Sequence, residues 1–123
     1  MKLFYAPGAC SLSPHIAAAE AGIDLELVEV NLGTKTVAEE GDYWAINPKG
    51  SVPALELDYG EILTEGPAIV QYLADQKPEA RLAPANGTLA RYRLQEALNY
   101  ITSEIHKSYS PLFNPKTPEN VRT

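Results

Sequence analysis

The first thirty-one residues leave few choices of fold. Lys2 to Ala6 reads as a short strand, a Pro7-Gly8 turn follows, and Ser13-Pro14 opens a helix through Ile16, Ala17, Ala18 and Ala19 that Gly22 closes in the manner of a left-handed C-cap. Glu26 to Asn31 supplies a second strand. Two strands joined by a helical crossover are expected to lie parallel in one sheet, with a right-handed connection. Thr36 to Ala45 predicts a weaker helix, and Asn47-Pro48-Lys49-Gly50 a loop after it. Ala54 to Leu57 and Glu61 to Leu63 alternate about Asp58-Tyr59-Gly60 like an antiparallel hairpin. Thr64 then precedes a helix with Pro67 in its first turn and Ile69, Val70, Tyr72 and Leu73 on its apolar face, ending before Pro78. The order βαβαββα over residues 1–77 describes an α/β domain.

Pro78, Pro84, Asn86 and Gly87 make 78–87 a linker candidate, and a long helix follows it within 88–123. Leu94, Leu98, Ile101 and Ile105 fall at helical spacing and predict one buried stripe from about Thr88 to Tyr109. Opposite them, Arg91, Gln95, Asn99, Thr102, Ser103 and His106 recur every three or four residues with few of the Glu-Lys pairs of a solvated face. Such a row is either plain surface or the lining of a cleft or a subunit contact; spacing alone leaves both open.

Cys10 is the single cysteine, placed between the first strand and the first helix. A thiol at a helix start is expected to be acidic, because the first N–H groups lack internal acceptors and the dipole is positive there. Position alone leaves it open between a reactive thiol and a buried, inert one. The segment Cys10-Ser11-Leu12-Ser13 lacks the second sulfur of a redox pair, so redox chemistry would pass through a mixed disulfide with an external thiol, and glutathione is the expected reactant of that kind. His15 lies five residues on, an interval that does not put both side chains on one helix face, and it reads as structural.

With 123 residues, 45% hydrophobic and 21% charged, the chain can bury one moderate core. A formal charge of -6 without a basic run argues against nucleic acid, and no run approaches the roughly 20 apolar residues of a membrane span. A lone cysteine and a start that runs straight into strand sequence make the cytoplasm the expected compartment.

The order of motifs resembles the cytosolic glutathione transferases, and specifically their bacterial beta class, over all 123 residues. The resemblance is carried by Lys2-Leu3-Phe4-Tyr5 before Pro7-Gly8-Ala9-Cys10-Ser11, by Val30-Asn31-Leu32, by Asn47-Pro48-Lys49-Gly50-Ser51-Val52-Pro53-Ala54-Leu55, by Leu63-Thr64-Glu65-Gly66 with Gln71-Tyr72-Leu73-Ala74, and by Ser103-Glu104-Ile105-His106-Lys107. It implies a thioredoxin-like, glutathione-binding N-terminal domain followed by an all-helical domain of which most is missing, since family members run to about 200 residues. In that likeness Cys10 lies by the glutathione sulfur, Val52 precedes a cis Pro53 and offers its backbone to the cysteinyl part, and Glu65 with Gly66 meets the γ-glutamyl end. Gly66 departs from the serine of many relatives in other classes, which removes a hydroxyl. Lys35, otherwise an ordinary surface lysine, matches a residue near the glycyl carboxylate. Asn99, Ser103, Glu104, Ile105 and His106 match positions that complete the site, some from the neighbouring subunit of a homodimer. His106, with Cys10, takes a catalytic position, and His106 and Lys107 border the pocket for a hydrophobic electrophile.

The implied activity is transfer of the glutathione thiolate to such an electrophile, in detoxification, with glutathione as co-substrate and no metal or other cofactor. Gly8 to Ile16 and Thr64 to Tyr72 resemble glutathione transferases associated with degradation of chlorinated biphenyls, which keeps thiol-disulfide exchange or reductive dehalogenation through Cys10 as a second enzymatic reading. A binding module without turnover, or an inactive fragment, is the third.

Overall fold

A computed structural model describes residues 1–122 as two compact units, one over Met1–Ala83 and one from Pro84 onward. The first unit carries a six-stranded mixed sheet. Its strands are β1 (Lys2–Tyr5), β2 (Glu26–Asn31), β3 (Thr36–Val37), β4 (Gly41–Asp42), β5 (Ala54–Glu56) and β6 (Ile62–Thr64), in the order β4-β3-β2-β1-β5-β6. β1 and β2 pair in parallel, Lys2 beside Glu26, around the crossover helix α1 (Leu12–Ala21), as the βαβ pattern requires. Gly22 ends α1 with φ 71, a left-handed conformation open to glycine at no steric cost, and its N–H returns to the carbonyls of Ala18 and Ala19. The other neighbouring strands pair antiparallel.

Side chains alternate across the sheet, so adjacent residues feed two cores. Leu3 and Leu55 face Ala18 of α1 and Ile69 and Leu73 of α3 (Gly66–Gln76), whereas Phe4 and Ala54 face Val30, Val37, Tyr43 and Val52. Phe4 and Tyr43 meet as tilted rings with centroids 5.8 Å apart. The result is helix, sheet and helix in layers, with Tyr43 on the one-turn α2 (Tyr43–Ile46).

The expected helix over Thr36 to Ala45 is a correction. Thr36–Val37 and Gly41–Asp42 form a tight hairpin beside β2, and only Tyr43–Ile46 is helical, started by Asp42, whose carboxylate accepts the Trp44 N–H at 3.0 Å. Pairing with β2 supplies hydrogen bonds that a helix there would have had to find internally.

In the second unit α4 (Leu89–Tyr100) begins at Thr88, whose hydroxyl accepts the Arg91 N–H at 3.2 Å. The chain then passes through a π turn (Ile101–His106) and a 3-10 turn (Lys107–Tyr109) into α5 (Ser110–Phe113), and α6 (Glu119–Arg122) closes the described residues. The buried stripe is also corrected. Leu94 and Leu98 are half-buried, but Ile101 and Ile105 are exposed, while Arg91 from the polar row is buried and donates to the Pro84 carbonyl at 2.9 Å. The π turn shifts the register of the faces after Tyr100, which a pattern of strict 3.6-residue period does not anticipate. Among the described residues no helix is long and apolar enough to cross a membrane.

Candidate functional site

The connection between β1 and α1 is built to hold Cys10 still. The Ser11 hydroxyl, fully buried, accepts the Ala6 N–H at 3.1 Å and donates to the Ala6 carbonyl at 3.2 Å, closing the turn on itself. Leu12 and Ser13 N–H bond back to the Ala9 and Cys10 carbonyls, so two of the donors expected to be free at this helix start are already used. Cys10 is exposed, and its thiol donates to the Val52 carbonyl at 3.2 Å.

The acid thiol expected at this position is corrected. Protein atoms around the sulfur strip part of its hydration and push the Cys10 pKa above its ordinary value. Its own backbone N–H pulls the other way, and the Glu65 carboxylate adds a further upward push. Cys10 is therefore a neutral thiol at neutral pH and a hydrogen-bond donor.

Val52 is buried and joined to Pro53 by a cis peptide, as the resemblance implied. The segment before it is pinned from outside the site. The Tyr43 hydroxyl and the Asn47 amide both donate to the Ser51 carbonyl, at 2.7 and 2.8 Å, and the Gly50 N–H returns to the Asn47 carbonyl at 2.8 Å. Glu65 precedes α3 with φ 74, a left-handed backbone that a residue with a β-carbon adopts at a cost of about 1–2 kcal/mol. Its carboxylate pairs with Lys49 at 2.9 Å, and the same ammonium donates to the Thr64 hydroxyl at 3.0 Å. A β-carbon at Gly66 would lie 4.0 Å from Pro53 Cγ, so the position has room for the serine of other classes.

Lys35 is not the free surface lysine that its type suggests. It is half-buried with φ 56, its ammonium donates to the Gly50 carbonyl at 2.6 Å, and it stands 5.6 Å from the centre of the Trp44 ring. Cys10, Val52, Pro53, Glu65 and Gly66 thus come together within the first unit, with Lys35 tied to the same Gly50–Val52 segment. Lys49, Trp44, Tyr43 and Asn47 went unread in the sequence, because a turn signature such as Asn47-Pro48-Lys49-Gly50 says nothing of what its side chains reach.

The second unit holds the remaining candidates. Asn99 ends one turn of the helix, and its carbonyl accepts the Ser103 hydroxyl at 2.9 Å. Ser103, Glu104, Ile105, His106 and Lys107 are exposed, the first four inside the π turn. His106 lines an open apolar pocket of about 530 Å³ with Tyr109, Ser110, Phe113 and Asn114; Lys107 is not among its lining residues. Among the described residues no three His, Cys, Asp or Glu side chains gather as a metal site.

Residues 1–75 match the family model described as the glutathione S-transferase N-terminal domain. The chain is 53% identical over 122 residues to the glutathione S-transferase GstA of Escherichia coli O157:H7, covering 99% of this chain and 61% of that protein. Its fold matches a sphingomonad glutathione S-transferase solved in complex with glutathione, at TM-score 0.94 and 53% identity, over 98% of this chain and 60% of the other. It matches equally the bacterial beta-class glutathione S-transferase of Sphingomonas chungbukensis, at TM-score 0.94 and 54% identity, over 98% and 60%. The chain spans about three-fifths of the length of each.

Proposed function

Because the chain belongs to the glutathione S-transferase family, we propose that its first unit binds glutathione with the ligand sulfur beside Cys10, and that the whole protein transfers the glutathione thiolate to a hydrophobic electrophile. The observation that carries this reading is the Cys10 thiol held 3.2 Å from the Val52 carbonyl, close enough to Glu65 to feel its charge. One contact reads the middle of a thiol peptide and the other its amino end. In this proposal the Val52 backbone pairs with the cysteinyl unit, Glu65 and the N–H groups from Gly66 hold the γ-glutamyl ammonium and carboxylate, and Lys35 meets the glycyl carboxylate.

A neutral Cys10 fits a supporting role in transfer. Its proton, now shared with the Val52 carbonyl, can turn to the glutathione sulfur and stabilise that thiolate as donor. The glutathione thiol gives its proton to water, and the thiolate forms a carbon–sulfur bond as the electrophile's leaving group departs with its electron pair. Asn99, Ser103, Glu104 and Ile105 complete the glutathione site, some from the second copy of a homodimer. His106 acts in catalysis and lines the electrophile pocket, with Lys107 next to it in the chain and outside the lining. A cytoplasmic, detoxifying enzyme is the setting this implies.

The exposure of Cys10 supports a second reading. As a thiolate it could attack glutathione disulfide, forming a mixed disulfide and releasing one glutathione thiolate. Two assays on the full protein separate the readings. Conjugation of chlorodinitrobenzene is expected to survive in Cys10→Ala at reduced rate, while intact mass shows one glutathionyl adduct on the parent and none on the variant. Failure of the protein to bind glutathione would overturn both.

A further inference from the structure

We propose that Trp44 is a positioning residue for Lys35, holding that ammonium ready for a ligand carboxylate at the outer end of the Gly50–Val52 segment. The inference rests on the assignment of Lys35 made above.

A lysine head on four rotatable bonds ordinarily samples many positions. Lys35 is restrained at both ends. Its carbonyl accepts the Tyr43 N–H at 2.9 Å, which ties its backbone to α2. Its Nζ donates to the Gly50 carbonyl at 2.6 Å and lies 5.6 Å from the Trp44 ring centre, within reach of a cation–π contact. The ring is itself packed on the segment it would position. A β-carbon at Gly50 would stand 2.5 Å from Trp44 Cζ3 and 2.6 Å from Cη2, so the indole occupies the space that a side chain there would need, and the Trp44 backbone N–H is capped by Asp42. Core formation does not account for this indole, which is 48% exposed.

Charge supplies the second observation. Among the described residues no carboxylate pairs with Lys35, although the chain carries 16 acidic residues against 10 basic ones and Lys2 and Lys49 both have Glu partners. A carbonyl and a π face orient an ammonium without neutralising it, and two of its three protons remain for an incoming anion. Gly50 lies two residues before Val52, the partner of the Cys10 thiol. A cation here suits a carboxylate attached to one end of a thiol-bearing ligand.

Calorimetric titration of the full protein with glutathione and with its glycyl monoethyl ester, in which that carboxylate is masked, tests the proposal. Trp44→Leu is expected to weaken glutathione about two- to fivefold and to leave the ester unchanged. Trp44→Phe keeps an aromatic face and should retain most of the parent affinity, and Lys35→Met should erase the preference for glutathione over the ester. Equal weakening of both ligands in Trp44→Leu, or no change in either, would overturn the role of Trp44. A parent protein that binds both ligands alike removes the Lys35 assignment while leaving glutathione binding intact. One that binds neither removes the proposed function as well.

Discussion

Cys10 shows how far position alone carries a residue. Its place at a helix start predicts an acid thiol, yet loss of hydration and the Glu65 charge outweigh the backbone contribution and raise its pKa. The helix-end donors that would have favoured a thiolate are spent on the Ala9 and Cys10 carbonyls. Alkylation of the ligand-free protein by iodoacetamide, followed against pH, should therefore show a midpoint above the ordinary thiol value, and Glu65→Gln should move that midpoint down. A midpoint below the ordinary value would contradict this account. Because the folded state disfavours the thiolate, the stability linked to Cys10 is complete below the unfolded thiol's pKa and is lost as pH rises through the folded one. Nothing beside Cys10 in sequence signals this state, since Glu65 is distant along the chain.

At the scale of elements, the short α2 does more than its four residues suggest. Tyr43 and the capping Asn47 hold the Ser51 carbonyl, Tyr43 holds Lys35, and Trp44 packs on Gly50, so one turn of helix and its cap set the loop before β5 that meets Cys10. Two glycines separate backbone strain from crowding. Gly22 and Gly50 both have φ near 70, but a β-carbon at Gly22 meets nothing within 4 Å, whereas at Gly50 it meets the Trp44 ring. Gly22→Ala should cost about 1 kcal/mol in chemical denaturation. Gly50→Ala should cost at least 1 kcal/mol more, as overpacking adds to the strain; equal costs would show that the indole simply moves aside. The stretch 36–45 looks helical in sequence for a related reason. Strands of two residues carry no periodicity, and their stability comes from β2 rather than from themselves.

Across the whole molecule, two cores divided by one sheet carry the first unit, and the exposed apolar residues of the second do not carry it. Leu73→Ala empties a fully buried position between α3 and the sheet and should cost about 2–5 kcal/mol in denaturant unfolding. Ile101→Ala, at 49% exposure, should cost less than about 1 kcal/mol; a larger loss would mean that the π turn buries that side chain against a partner. The parallel pairing of β1 and β2, the hairpin of β5 and β6, and the turn that carries Cys10 were legible in advance, because alternation and turn residues are local quantities that a chain carries in one dimension; Val52 and Glu65 were singled out only by the family resemblance. Local pattern also determined which segments could be parallel, since a helix of ten residues allows little else. What only the tertiary structure decided is the electrical state of Cys10, the anchoring of Lys35 by Trp44 and Gly50, and the pairing of Lys49 with Glu65. Each depends on distances between residues far apart along the chain, and hydration, charge and ring packing respond to those distances rather than to order in the sequence.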